Sequence, residues 1–91
     1  MIPMELDKRT LLEGLAEEAA ELGQAALKLI RAEQMNDNVT PVEPEQARAN
    51  ISEELVDVLM VACTLGYDLD VLVAAALQSP KWERWAKRLT E

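Results

Sequence analysis

Histidine is absent from this 91-residue chain, and cysteine occurs only once. Without imidazole groups the chain cannot build a Ser-His-Asp or Cys-His nucleophile, a zinc site with histidine ligands, or the Glu-x-x-His motifs of di-iron bundles. The single thiol, Cys63, cannot form a disulfide within the chain. Any chemistry must therefore rely on carboxylates, Lys, Arg, hydroxyl groups or a bound cation.

Positive charge is also scarce, because 9 Lys and Arg stand against 17 Asp and Glu and give a net charge of −8. Such a chain is poorly suited to neutralising a phosphate backbone, so we expect no nucleic-acid partner. The first ten residues, MIPMELDKRT, are charged, and no long apolar run follows them. We therefore expect neither a signal peptide nor a membrane partner, and we predict a cytoplasmic location.

Aromatic residues make up only 3% of the chain and Phe is absent, whereas Leu and Ala together supply 27 of the 91 residues. This composition favours closely packed helices over sheets. Apolar residues at helical spacing predict a first long helix over about residues 6–33, and Asn, Asp and Pro indicate a loop over residues 35–44. A second long helix is predicted from about residue 44 to residue 65, with Gly66 ending it.

Two shorter helices are predicted after Gly66. The segment DLDVLVAAALQ has Asp68 or Asp70 as its N-cap, and the segment KWERWAKRL follows Ser79 and Pro80. The predicted fold is all-α and forms a single domain over residues 1–91, a bundle of two long antiparallel helices plus two short C-terminal ones. Because the second helix is apolar nearly all round, we expect dimerisation to complete a four-helix-bundle-like assembly.

Both long helices carry the pattern Glu-Glu-x-x-acid, with Glu18 and Glu21 in the first helix and Glu54 and Asp57 in the second. Residues three apart lie about 60° apart around a helix, so each pair forms a two-pronged carboxylate clamp. The same projection places Glu18 and Glu54 within the apolar stripe of their own helices. Ionised carboxylates are rarely buried without compensation.

A divalent cation is the best compensator for such acids, because Lys28 and Arg31 project beyond the border of the apolar stripe. Oxygen ligands without His or Cys select Mg²⁺, with Mn²⁺ as a possible substitute. The pattern therefore predicts a metal site formed by the two clamps. The alternative for either motif alone is a solvated acidic face or a salt-bridge ladder.

These residues resemble the MazG-like, all-alpha nucleoside triphosphate pyrophosphohydrolase superfamily, whose signature is E-x-x-E on one helix and E-x-x-D on the next. The resemblance covers about residues 11–65, and Lys81-x-x-Arg84 is similar to the basic C-terminal segment of the same group. It implies hydrolysis of a nucleoside or deoxynucleoside triphosphate between the α- and β-phosphates, with Mg²⁺ as cofactor. It also implies a homodimer or a dimer of dimers.

Under this resemblance the metal ligands are Glu18, Glu21, Glu54 and Asp57, and either Glu17 or Glu53 is the catalytic base that orients or deprotonates the attacking water. The residues expected to hold the substrate are Lys28, Arg31, Asn38, Lys81 and Arg84. Two other interpretations remain open. One is a non-catalytic acidic helical interaction module, and the other is a degenerate family member that binds a nucleotide without turning it over.

Overall fold

A computed structural model of the chain describes residues 6–33, 35 and 43–90. These residues form four α-helices and no strand, which confirms the all-α prediction. The helices are α1 (Lys8–Ala32), α2 (Pro44–Thr64), α3 (Leu69–Gln78) and α4 (Lys81–Thr90).

The ends of the two long helices follow from local backbone chemistry. The Asp7 carboxylate caps α1 by accepting a hydrogen bond of 2.8 Å from the Thr10 backbone N–H. Pro44 opens α2, where its missing N–H costs no helical hydrogen bond. Gly66 follows α2 with a φ of +99°, a conformation that glycine adopts without strain. The predicted extents of both helices are confirmed.

The short helices are capped in a similar way. Of the two aspartates that the sequence left open, Asp68 is the N-cap of α3, and its carboxylate accepts a 3.2 Å hydrogen bond from the Val71 N–H. Ser79 separates α3 from α4, and its hydroxyl accepts a 3.0 Å hydrogen bond from the Lys81 N–H. Both short helices are therefore confirmed where the sequence predicted them.

Contacts between α1 and α2 dominate the packing of the described residues. At one end, the Arg48 guanidinium near the start of α2 donates to the Glu33 carboxylate just after α1, at 2.7 Å. At the other end, Lys8 and Leu12 near the start of α1 line a small pocket together with residues 65–67, which follow α2. Contacts therefore join α1 to residues in or beside α2 near both ends of α1.

The buried residues of the described chain are three alanines, Ala25 and Ala32 in α1 and Ala47 in α2. Because alanine carries only a methyl group, the two helix backbones can approach closely along this contact. α3 makes a small contact with α2, and α4 does not pack on α1 or α2 within the described ranges. Over the same residues, no single helix has both the length and the hydropathy needed to cross a membrane.

Candidate metal centre

Three of the four predicted metal ligands meet where α1 and α2 pack together. Glu18 and Glu21 lie one turn apart on α1, and Glu54 faces them from α2. Each side chain contributes one carboxylate oxygen to a group in which all three oxygens lie within 4.8 Å of one another. We call Glu18, Glu21 and Glu54 the acidic triad. Helical periodicity positions the two α1 acids on one face, and the pairing of the helices brings the third acid to them.

The acidic triad lies at the edge of the helix contact, so its members differ in exposure. Glu18 and Glu54 are half-buried, whereas Glu21 is exposed. One oxygen of Glu18 and one of Glu54, in each case Oε2, is closed off from solvent and has no hydrogen-bond partner among the described residues. Buried carboxylate oxygens are normally satisfied by a donor or a cation, and the described residues supply neither to these two oxygens.

The electrostatics of the acidic triad also favour a positive charge beside its oxygens. Removal from water raises the pKa of the Glu18 and Glu54 carboxyls above the ordinary value, because burial disfavours the charged form. The neighbouring carboxylates of Glu21 and Asp57 raise both pKa values further by repulsion. Holding these negative charges together therefore costs the folded chain free energy. A positive charge between them would replace this electrostatic repulsion by attraction.

The acidic triad fits a hard divalent cation. Its donors are all carboxylate oxygens, which Mg²⁺ prefers, and the set lacks the imidazole and thiolate donors that favour zinc or copper. Mg²⁺ is usually held by few protein carboxylates together with waters and substrate phosphates. The exposed side of the acidic triad, at Glu21, leaves room for such additional ligands.

The other predicted acids surround the acidic triad without joining it. Asp57, the fourth predicted ligand, is half-buried and close enough to raise the pKa of Glu18 and Glu54, but its oxygens are not among the three that converge. Glu17 and Glu53, the two candidate bases, are exposed, each next to a member of the acidic triad in sequence.

The predicted substrate-binding residues are distributed over separate regions. Lys28 is exposed on α1, and Arg31 is half-buried, with an Nε atom that is closed off from solvent and has no hydrogen-bond partner among the described residues. Lys81 and Arg84 lie on α4, which does not pack on α1 or α2, so the described part of the chain does not bring them to the acidic triad. Asn38 lies outside the described residues.

A groove between α3 and α4 was not predicted from the sequence. Trp82 and Trp85 line it in an edge-to-face pair with ring centroids 6.0 Å apart, and the Trp82 indole N–H donates to the Ala76 carbonyl of α3. Both side chains remain half exposed. Trp82 thus joins α4 to α3 through this hydrogen bond, and Trp85 contacts Trp82 within α4. The cations along the groove are Lys81, Arg84, Lys87 and Arg88.

Comparison of the chain with protein-family models, with curated proteins and with solved structures finds no match.

Proposed function

We propose that this protein is a Mg²⁺-dependent pyrophosphohydrolase that cleaves nucleoside or deoxynucleoside triphosphates between the α- and β-phosphates. The observation that carries the proposal is the acidic triad, in which carboxylates from two helices converge within 4.8 Å while two of their oxygens are buried with no hydrogen-bond partner in the described part of the chain. An acidic surface that served only solubility would gain nothing from this arrangement, because exposed carboxylates are better hydrated and repel one another less.

The chain's own acids would divide into two roles around a cation. Glu18, Glu21 and Glu54 would hold Mg²⁺, with Asp57 as a fourth ligand or as the acceptor that orients one of its waters. When bound, Mg²⁺ supplies charge neutralisation at phosphate oxygens and lowers the pKa of water. Glu17 or Glu53 would orient or deprotonate the water that attacks the α-phosphate, since both are exposed and each precedes a member of the acidic triad in the sequence.

Cationic side chains would hold the triphosphate, whose charge the acids alone would repel. Arg31 is a candidate on α1, because it is a half-buried cation on the same helix as Glu18 and Glu21. Lys28 presents a second positive charge one turn away on the same helix. Lys81 and Arg84 would reach an acidic triad by movement of α4 or from a second copy in the proposed homodimer or dimer of dimers.

The arrangement of the helices supports the family resemblance seen in the sequence. Glu33 pairs with Arg48 at one end of α1, and Lys8 lies beside Leu65 at the other end, as expected for the proposed antiparallel pair. In this pair Glu18 and Glu21 of the E-x-x-E motif face Glu54, which begins the E-x-x-D motif of the next helix. We propose a cytoplasmic enzyme that draws on the free nucleotide pool.

The test is pyrophosphate release from a panel of nucleoside and deoxynucleoside triphosphates, with Mg²⁺ and with a chelator. We expect turnover that requires Mg²⁺ and is lost in Glu18→Gln and Glu54→Gln, whereas Glu45→Gln, an exposed acid in the first turn of α2, keeps it. Unchanged turnover in Glu54→Gln would remove Glu54 from the site. Nucleotide and Mg²⁺ binding without turnover would indicate a degenerate family member, and no binding of either would favour an interaction module.

A further inference from the structure

Helix α4 carries its apolar and its basic side chains on different faces. Trp82, Trp85 and Leu89 lie within an arc of about 60° around the helix axis, and all three side chains are at least half exposed. A second arc of about 120°, which begins about 40° from Trp85, is occupied by the basic residues Lys81, Arg84, Lys87 and Arg88. Tryptophan and leucine on one face with cations on the other are typical of a helix that lies in the interface between a membrane and water.

The charge of α4 is opposite in sign to that of the chain as a whole. Four basic residues against one acid, Glu83, give α4 a net charge of +3, whereas the chain carries −8. At about 0.1 M salt, charges more than about 10 Å apart are largely screened, so the charge of a contacting helix matters more than the net charge of the chain. Within the described ranges α4 does not pack on α1 or α2, so these helices do not cover its basic face.

We propose that α4 binds the surface of an anionic lipid bilayer, with its tryptophans in the headgroup region and its basic side chains against the lipid headgroups. Indole rings favour this region because they combine an apolar body with an N–H donor. Leu77, the residue after Ala76 of α3, is 71% exposed and adds aliphatic surface to that of Leu89. A nucleic-acid strand or an acidic peptide would pair with the cations but would offer little cover for these two leucines, whereas the acyl boundary of a bilayer accepts them.

This mode of binding differs from crossing a membrane. It requires neither a membrane span nor a signal peptide, and the sequence-based expectation of no membrane partner rested on those two features. The cytoplasmic leaflet carries anionic lipids, so the proposed cytoplasmic location is unchanged. The inference does not depend on the proposed enzymatic function, because it rests on α4 rather than on the acidic triad.

The tryptophans provide the measurement, because both tryptophans of the chain lie on α4 and their fluorescence reports on this helix alone. The full chain is titrated, without nucleotide or Mg²⁺, with vesicles of phosphatidylcholine and with vesicles of phosphatidylcholine and phosphatidylserine in equal parts. We expect the emission to shift to shorter wavelength with the phosphatidylserine vesicles and not with phosphatidylcholine alone. The shift should be present at about 0.1 M salt and largely lost at about 1 M salt.

Two double variants with the same loss of charge separate α4 from the rest of the chain. Lys87→Gln, Arg88→Gln removes two cations that the proposed function does not use, and it should weaken binding about 25-fold, because each cation near an anionic surface contributes about fivefold (about 1 kcal/mol). Lys8→Gln, Arg9→Gln is the matched control, because both residues are exposed on α1, and it should bind as the wild type does.

Three results would overturn the proposal: no emission shift with phosphatidylserine vesicles, an equal shift with phosphatidylcholine alone, or equal weakening in the two double variants. A shift with oligothymidylate or with polyglutamate, but not with vesicles, would also overturn it and would identify a nucleic acid or an acidic protein as the partner. If a double variant loses its helical circular dichroism, the lipid and salt dependence of the wild type decides the question.

Discussion

Replacing Glu54 by Gln should remove the stabilisation that Mg²⁺ gives to the fold. A ligand that binds only the folded state at 100 times its Kd stabilises that state by about 2.7 kcal/mol. For a domain of about 90 residues, this corresponds to a rise in Tm of about 10–20 °C. Gln keeps the size of the side chain but removes the negative charge of one of the three converging oxygens. If the affinity falls about a hundredfold, the same Mg²⁺ concentration raises Tm by only about 2–3 °C.

The assay is a thermal melt of chelator-treated protein at fixed ionic strength, with and without Mg²⁺. Glu53→Gln is the matched control, because Glu53 precedes Glu54 on α2, is exposed, and loses the same charge when it is replaced. The control should keep the full Mg²⁺ shift. A full shift in Glu54→Gln would refute the assignment of Glu54 as a ligand. An equal loss in Glu53→Gln would show that Mg²⁺ is attracted by the general negative charge rather than held at the acidic triad.

Three further predictions concern the metal-free fold. Burial and neighbouring acids raise the folded-state pKa of Glu18 and Glu54 above 4.5, so the free energy of unfolding should fall as pH rises from about 4.5 through those raised values. Thermal melts across this pH range should show the fall, and added Mg²⁺ should oppose it. Gly66→Ala should lower the free energy of unfolding by about 1 kcal/mol, because Ala is strained at a φ of +99°. The added Cβ would contact nothing within 4 Å, so no clash contributes, and urea unfolding that shows no loss would contradict this. Arg48→Ala should lower the free energy of unfolding by about 0.5 kcal/mol, and by less at high salt, because the ion pair of Arg48 with Glu33 is partly exposed. A loss above about 2 kcal/mol would indicate a structural role that this ion pair does not explain.

The helices could be predicted because their signals are local. Asp7 and Asp68 cap through their own side chains, and Gly66 ends α2 through its own backbone, so none of these features depends on distant residues. The convergence of Glu18 with Glu54 could also be anticipated, since an acid on the apolar side of each long helix must approach the other helix when the two apolar sides meet.

Features that depend on how elements are placed in space could not be predicted in this way. A helical projection gives the angle of Asp57 around α2 but not the position of its carboxylate oxygens, which are not among those of the acidic triad. The direction in which α4 leaves Ser79 is likewise absent from any periodic pattern, so the separation of Lys81 and Arg84 from the acidic triad emerged only from the structure. The composition of α3 predicts a helix, but it does not tell how much of that helix its own chain covers.

The alanine contact between the long helices has a consequence for sequence variation in relatives of this protein. A Glu side chain has a fixed reach, so three of them from two helices can converge only while the helix axes remain close. Ala47, Ala25 and Ala32 are buried at 1%, 5% and 8% exposure, so a larger side chain at any of them would have to displace its neighbours. Relatives that keep the acids should therefore carry Gly, Ala or Ser at these three positions. A bulkier residue there would push the two helices apart and increase the distances between the oxygens of the acidic triad without contacting them.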